Sequence, residues 1–216
     1  MVVAGVAAVL LAGYGLTMLA SGSGYDLAVK DPSSGTADAP VVIEEFADFQ
    51  CPACKVAAAP IKEVLKAYPT QVRFVYRDFP IPGHEHARVA AAAGLCAAQQ
   101  EKFKPFYETV YGEQENWVAF DRAAFDAYLV SVAQKPELNL DLADFNACRA
   151  SRDAKREVEN DYQEGISRSV DSTPTFFING VKRAEVLSVF QWIQLINAEL
   201  EKKGLQPENT PSQPQS

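Results

Sequence analysis

Two cysteines separated by two residues, Cys51-Pro52-Ala53-Cys54, are the part of this 216-residue chain best suited to chemistry. At the start of a helix, the first sulfur of such a pair meets unpaired N–H groups and the positive end of the helix dipole, which favour its thiolate. The second sulfur, one turn on, sits behind it and can close a disulfide or attack a mixed disulfide formed on the first. A zinc site uses the same spacing but needs two further ligands, and only His84, His86, Cys96 and Cys148 remain for that role. Covalent haem attachment requires a histidine directly after the second cysteine, where this chain has Lys55.

The elements flanking the pair read as a strand and a helix. Val41-Val42-Ile43-Glu44-Glu45-Phe46 is a β-branched, apolar run of strand length whose unbroken start suits a strand covered on both faces. Pro52 fits the first helical turn, where its missing N–H costs nothing. Val56, Ile61, Val64 and Leu65 then supply an apolar stripe up to Tyr68-Pro69, and Pro60 is expected to kink the helix. Val72-Arg73-Phe74-Val75-Tyr76-Arg77 reads as a second strand, ended by Phe79-Pro80-Ile81-Pro82-Gly83. Strand, helix and strand in that order form a right-handed parallel unit.

From His84 to Ser169 the pattern becomes alanine-rich and charged, with helices predicted over 85–113, 121–133, 140–149 and 153–169. Strands resume at Pro174-Thr175-Phe176-Phe177-Ile178, where Asn179-Gly180 is the preferred two-residue turn into Val181-Lys182-Arg183. A closing amphipathic helix carries Val189, Phe190, Ile193, Ile196 and Leu200, and no internal repeat is present.

The ends differ in character. Val2 to Ala20 holds no charge and would cover roughly 30 Å as a helix, which reads as a membrane anchor or a signal segment. No Lys or Arg precedes it to set an orientation. Ser21 to Pro40 is rich in Ser, Gly, Asp and Pro and reads as a flexible linker, with one short strand near Leu27. The Gln/Pro/Ser tail from Gln206 is expected to fray. A formal net charge of -8, with no Lys/Arg cluster, repels phosphate backbones and argues against nucleic-acid binding.

Asp38-Ala39-Pro40-Val41, followed by Glu45-Phe46-Ala47-Asp48-Phe49-Gln50-Cys51-Pro52-Ala53-Cys54, resembles the DsbA-like branch of thioredoxin-fold proteins. Ser172-Thr173-Pro174-Thr175-Phe176-Phe177-Ile178-Asn179-Gly180 is similar to the same family's cis-proline segment, and the likeness spans Asp38 to Leu200. It departs at Pro52-Ala53, where well-known periplasmic members have Pro-His, so oxidising strength does not carry over.

The resemblance implies an α/β thioredoxin fold with an inserted all-helical domain, preceded by the N-terminal transmembrane or signal helix. The expected division is anchor or signal 1–22, linker 23–39, a first thioredoxin-fold segment 40–83, helical insertion 84–170, a second thioredoxin-fold segment 171–204 and a disordered tail 205–216. It further implies that Cys51 is the nucleophile, Cys54 the resolving thiol and Pro174 a cis-proline packed against the disulfide, with Thr173 offering its backbone to substrate. Glu45 is expected as an acid beneath the site that accepts or relays a proton, the alternative being an exposed strand-end carboxylate.

Arg77 reads as a solvated strand-end residue or a partner charge, and Asp48 and Gln50 as polar surface. His84 and His86 read as helix-start surface residues without a role, and Phe103, Phe106, Tyr107, Tyr111 and Trp117 as core of the helical block. Two cysteines remain, each in a predicted helix of the same block. In an oxidising compartment Cys96 and Cys148 are expected to form a structural disulfide, with two buried free thiols as the alternative.

The function these readings point to is an extracytoplasmic thiol:disulfide oxidoreductase, anchored to the membrane or released if the segment is cleaved. It would use no cofactor or metal and act as a monomer and oxidase on reduced secreted polypeptides. A DsbB-like or VKOR-like membrane thiol oxidase would recharge it. The alternatives are a reductase or isomerase on the same fold and a non-catalytic module that binds a metal or partner through its cysteines.

Overall fold

Val41–Ala47 (β2) is the strand around which the rest assembles, and its composition explains why. Val41, Ile43, Phe46 and Ala47 are buried, as the unbroken apolar run requires of a strand with neighbours on both sides and cover on both faces. The computed structural model describes residues 32–208 of the chain. Val2–Ala20 and Leu27 lie outside them, and no helix among the described residues is long and apolar enough to cross a membrane.

After β2, helix α1 spans Pro52–Ala67 and strand β3 spans Val72–Asp78. β3 pairs with β2 in parallel, with Glu45 opposite Tyr76 and Ala47 opposite Asp78. Cys54, Ala57, Ala58, Ile61 and Val64 form the buried face of α1, and the helix continues through Pro60 to its cap at Tyr68. Val56, placed on the apolar stripe by its spacing, instead points to solvent at 62% exposure. The small residues Ala57 and Ala58 take the core face in its place.

Six helices stand between β3 and the next strand: α2 (Ala87–Gln99), α3 (Phe103–Gly112), α4 (Gln114–Trp117), α5 (Arg122–Ala133), α6 (Leu142–Ala150) and α7 (Arg152–Ser167). The single helix predicted over 85–113 is broken in two and followed by the short α4. Glu101 adopts a φ of 62°, which ends α2 while the Lys102 N–H donates back to the Ala97 carbonyl at 2.8 Å. Asp121, Asp141 and Ser151 cap α5, α6 and α7, each accepting from the backbone N–H three residues on. Alanines 90–93, 97 and 98 of α2 are all buried, so that helix forms the centre of the block, against α3, α6 and α7.

Strands β4 (Thr175–Ile178) and β5 (Val181–Arg183), with a short first strand β1 (Ser33–Ser34), complete a sheet of order β1-β3-β2-β4-β5. Asn179 and Gly180 turn between them with φ of 46° and 83°, the pair of left-handed residues that a tight hairpin needs. Helix α8 (Val189–Lys202) begins with a Ser188/Gln191 capping box and buries Trp192, Ile196 and Leu200. Phe190, counted on its apolar face from spacing, is 42% exposed, and Trp192 holds the core position, its ring nearly perpendicular to that of Phe176 with centroids 4.9 Å apart.

Two expectations at the ends are corrected. Residues 32–39 are not linker: Ser33–Ser34 (β1) pairs antiparallel with Val75 and Phe74, and the Tyr76 N–H donates to the Pro32 carbonyl at 2.8 Å. The segment covers the outer edge of β3, whose N–H and C=O groups would otherwise face water unpaired. The tail is tied down as far as Glu208, because Gln71 donates to the Gln206 carbonyl at 2.7 Å and accepts from the Glu208 N–H at 2.8 Å.

Candidate active site

The chain leaves β2 at Ala47 and reaches Cys51, the N-cap of α1, through a short turn in which the Cys51 N–H donates to the Asp48 carbonyl at 2.9 Å. Pro52 occupies the first helical turn, which carries no acidic residue to oppose a negative sulfur. Cys51 is 6% exposed and Cys54 fully enclosed, so one sulfur of the pair is open to a partner and the other is not. Both are free thiols.

From the far side of the fold, the Thr173–Pro174 peptide bond is cis, and the Thr173 carbonyl accepts from Cys51 Sγ at 3.5 Å. The Cys54 thiol lowers the Cys51 pKa most; burial opposes it, and Thr173 and the N–H groups of Cys54 and Ala53 add to it, giving a value of about 5. Cys54 moves the other way: burial first, then its bond to Cys51 and the charge of Glu45, push it well above an ordinary thiol. The two sulfurs are therefore split into an acidic, reachable one and a basic, enclosed one.

Glu45 lies beneath them with no exposed surface. Strand register sets it between Tyr76 on β3 and Phe176 on β4. The Tyr107 hydroxyl donates to its Oε2 at 3.1 Å, and Oε1 has no partner. Burial pushes its pKa up to about 8; the Tyr107 bond works against that and the Cys51 charge with it. A carboxyl in this state gains or loses a proton near neutral pH, close to the enclosed thiol. Tyr76 and Tyr111 pair their hydroxyls at 3.1 Å alongside.

Several side chains read as surface prove to belong to the site's frame. Asp48 is buried: its Oδ1 accepts from the Gln50 N–H at 2.7 Å, and its Oδ2 accepts from the Ile81 N–H at 2.9 Å and faces His84 Nδ1 at 2.7 Å. Gln50 Oε1 accepts from the His86 N–H at 2.8 Å. His86 is itself buried, stacked on Phe125 with ring centroids 4.3 Å apart. These residues look polar in sequence, but Ile81 and His84 of the proline-rich turn after β3 bond to Asp48, and His86 to Gln50, which ties that segment to the active-site turn.

Arg77 pairs with Asp161 at 3.3 Å and Glu44 at 4.0 Å, both away from Glu45. Gln114, which no sequence pattern singles out, is buried and donates from one amide nitrogen to the carbonyls of Phe49 at 2.7 Å and Cys51 at 3.0 Å. It lies 63 residues from Cys51 in a four-residue helix, and no spacing or motif signals it. Phe103, Phe106, Tyr107, Tyr111 and Trp117 are all buried.

Away from the site, Cys96 of α2 and Cys148 of α6 are joined by a disulfide. Among the described residues no group of His, Cys, Asp and Glu is arranged to hold a metal ion.

Residues 28–198 match a family model described as Thioredoxin. The chain is 30% identical over 157 residues to the "Probable disulfide bond formation protein D" of Bacillus cereus, covering 68% of this chain and 69% of that protein. It is 34% identical over 152 residues to the "Na(+)/H(+) antiporter NhaA 3" of Salinispora tropica, where the match covers 70% of this chain but only 22% of the antiporter. Among solved structures, alpha-DsbA1 of Wolbachia pipientis superposes with a TM-score of 0.68 at 21% identity, over 80% of this chain and 92% of that one, a likeness of fold.

Proposed function

The chain belongs to the thioredoxin family, in its DsbA-like disulfide oxidoreductase branch, and from that premise we propose that it oxidises thiols of polypeptides outside the cytoplasm. The observation that carries this reading is the split between the two sulfurs, with Cys51 held near 5 at the helix N-terminus and Cys54 pushed up. A substrate thiolate attacks Cys51 of the disulfide form, the Cys51–Cys54 bond breaks, and Cys54 leaves. A second substrate thiolate then attacks the substrate sulfur of the mixed disulfide and releases Cys51. The substrate loses two electrons, and the pair gains them. Stabilising the Cys51 thiolate stabilises the reduced enzyme and so favours oxidation of the substrate.

In this reading Cys51 is the sulfur that bonds to substrate, and when the reduced pair is reoxidised by an acceptor disulfide it is the nucleophile and Cys54 the resolving thiol. Thr173 and Pro174 form the edge against which an extended substrate lies, and Glu45 exchanges a proton with Cys54. Helices α2 to α7 act as an inserted domain that roofs the site through Gln114 and Tyr107. The Cys96–Cys148 disulfide supports an oxidising compartment, and the uncharged run Val2–Ala20 supports a membrane anchor that holds the domain at its outer face, as a monomer recharged by a membrane thiol oxidase. Retention in the membrane fraction after a carbonate wash is the expected result for the full chain; a soluble form beginning near Ser23 would remove the anchor.

Titration of the Cys51–Cys54 couple against glutathione buffers tests the direction. We expect a potential between about -120 and -230 mV, and a value near -270 mV with an ordinary Cys51 pKa would instead make the chain a reductase.

A further inference from the structure

The chain carries a formal charge of -8, yet one cleft in its helical block is walled by cations. The cleft lies among α2, α5, α6 and α7 and has a volume of about 600 Å³. Sites for small molecules run from about 300 to 1,000 Å³, so the space suits one. Val89, Ala92 and Val158 supply apolar lining, the last two of them buried.

Each of the four helices brings a cation to this space: Arg88 from α2, Arg122 from α5, Arg149 from α6 and Lys155 from α7. They are scattered from position 88 to position 155, so no run of the sequence shows them together. Gathering like charges costs repulsion, and the acids present offset only part of it. Asp126, the carboxylate among the described lining residues, is shared between two arginines. Its Oδ2 accepts from Arg122 Nε at 3.0 Å and its Oδ1 from Arg149 Nη1 at 2.7 Å, which brings two guanidinium groups to one carboxylate. Outside the lining, Glu159 accepts from Arg88 Nη1 at 2.9 Å. Lys155 has no ion pair among the described residues. With Glu159 counted, four positive charges meet two negative ones.

The walls are held in place before anything binds. The Cys96–Cys148 disulfide joins α2 to α6, with Ala92 one turn before Cys96 and Arg149 directly after Cys148. Arg88 lies over the ring of Tyr162 at 5.6 Å, and Asn146 Oδ1 accepts from Arg149 Nε at 2.9 Å. Donors ordered in advance lose less freedom on binding than donors that the ligand must order.

We propose that this cleft binds a small organic polyanion with two or more carboxylate groups on a compact apolar body. Asp126 displays the chemistry that fits, a carboxylate held between two guanidinium groups. The excess of two positive charges sets the least charge the ligand carries, and the apolar lining takes its body. The inference uses no residue of the cysteine site and stands apart from the oxidoreductase reading.

Benzene-1,3,5-tricarboxylate is the probe, and benzoate, the same ring with one carboxylate, is its control. Isothermal titration of the full chain is expected to saturate at one site, with the tricarboxylate at least about tenfold tighter than benzoate. Arg122→Ala/Lys155→Ala removes two exposed cations and leaves the Arg149–Asp126 pair in place. That double variant should bind at least about tenfold more weakly. Arg152→Ala, on the same helix as Lys155 but outside the lining, should stay within about twofold of wild type. Urea unfolding gives an independent readout: saturating tricarboxylate should raise the midpoint of the wild type and leave that of the double variant unmoved.

No saturable binding of the tricarboxylate, or benzoate bound equally well, would overturn the site. So would a loss in Arg152→Ala as large as in the double variant, since the overall charge alone would then draw the probe. A glutamate-rich peptide that binds where the tricarboxylate does not would overturn it in favour of a protein partner.

Discussion

Cys51 Sγ lies 3.5 Å from the carbonyl oxygen of Thr173, a residue 122 positions further along the chain. The contact suits both protonation states of the sulfur. As a thiol, Cys51 donates to the carbonyl; as a thiolate, it can accept from the Thr173 hydroxyl, whose Oγ1 is buried with no other partner.

Thr173→Val removes that hydroxyl while keeping the shape of the side chain. The Cys51 pKa, about 5 in the native chain, is expected to rise by about one unit. Less thiolate stabilisation in the reduced form lowers the potential by roughly 30 mV for a two-electron couple. Thiolate absorbance against pH gives the first value and glutathione titration the second. Thr173→Ser should retain both native values, and an unshifted Thr173→Val would leave the effect to the Cys54 thiol and the N–H groups of Cys54 and Ala53.

Glu45 makes the reduced protein's stability depend on pH. Its folded pKa of about 8 lies above the ordinary 4.5, so its favourable contribution is full below about pH 4.5 and is lost as pH rises through 8. Within that window the loss is at most about 1.4 kcal/mol per pH unit. Glu45→Gln carries no charge to bury and should flatten this slope. Urea unfolding at several pH values measures it; a slope in Glu45→Gln equal to wild type would place the titration elsewhere.

Asp48 holds the turn after β3, through Ile81 and His84, against the active-site turn. Asp48→Ala strips an acceptor from the Gln50 and Ile81 N–H groups and a partner from His84. Leaving such donors unpaired is expected to cost about 2 to 4 kcal/mol in all. The urea midpoint reports the loss, and a change below about 0.5 kcal/mol would mean that water replaces the carboxylate at no cost.

The Cys96–Cys148 bridge closes a loop between residues 52 positions apart. In the chain-entropy account its removal by a Cys96→Ala/Cys148→Ala double substitution costs roughly 4 kcal/mol. Because the bridge lies between α2 and α6, away from Cys51, the Cys51 titration should stay in place. Non-reducing peptide maps with both thiols alkylated in native protein would rule the bridge out.

What the sequence alone determined is local. A strand, a Cys-x-x-Cys at a proline-started helix and an Asn-Gly hairpin are each read from a few neighbouring residues, because backbone pairing and helix termini impose short, regular spacings. The second segment, Thr173-Pro174, was legible only through likeness to a family, since nothing between positions 54 and 173 says that the two segments meet. Tertiary structure decided the rest. Asp48, His86 and Gln114 carry polar side chains that composition assigns to the surface; tertiary packing buries them, Asp48 against Ile81 and His84, His86 against Phe125, and Gln114 on the carbonyls of Phe49 and Cys51. Glu45, too, was legible as an acid beneath the cysteines only through that likeness, since its strand position alone left an exposed strand-end carboxylate open. That it has one hydroxyl partner, Tyr107, and a carboxyl poised near neutrality follows from how α3 lies across the sheet, a relation between residues 62 apart that no sequence period encodes.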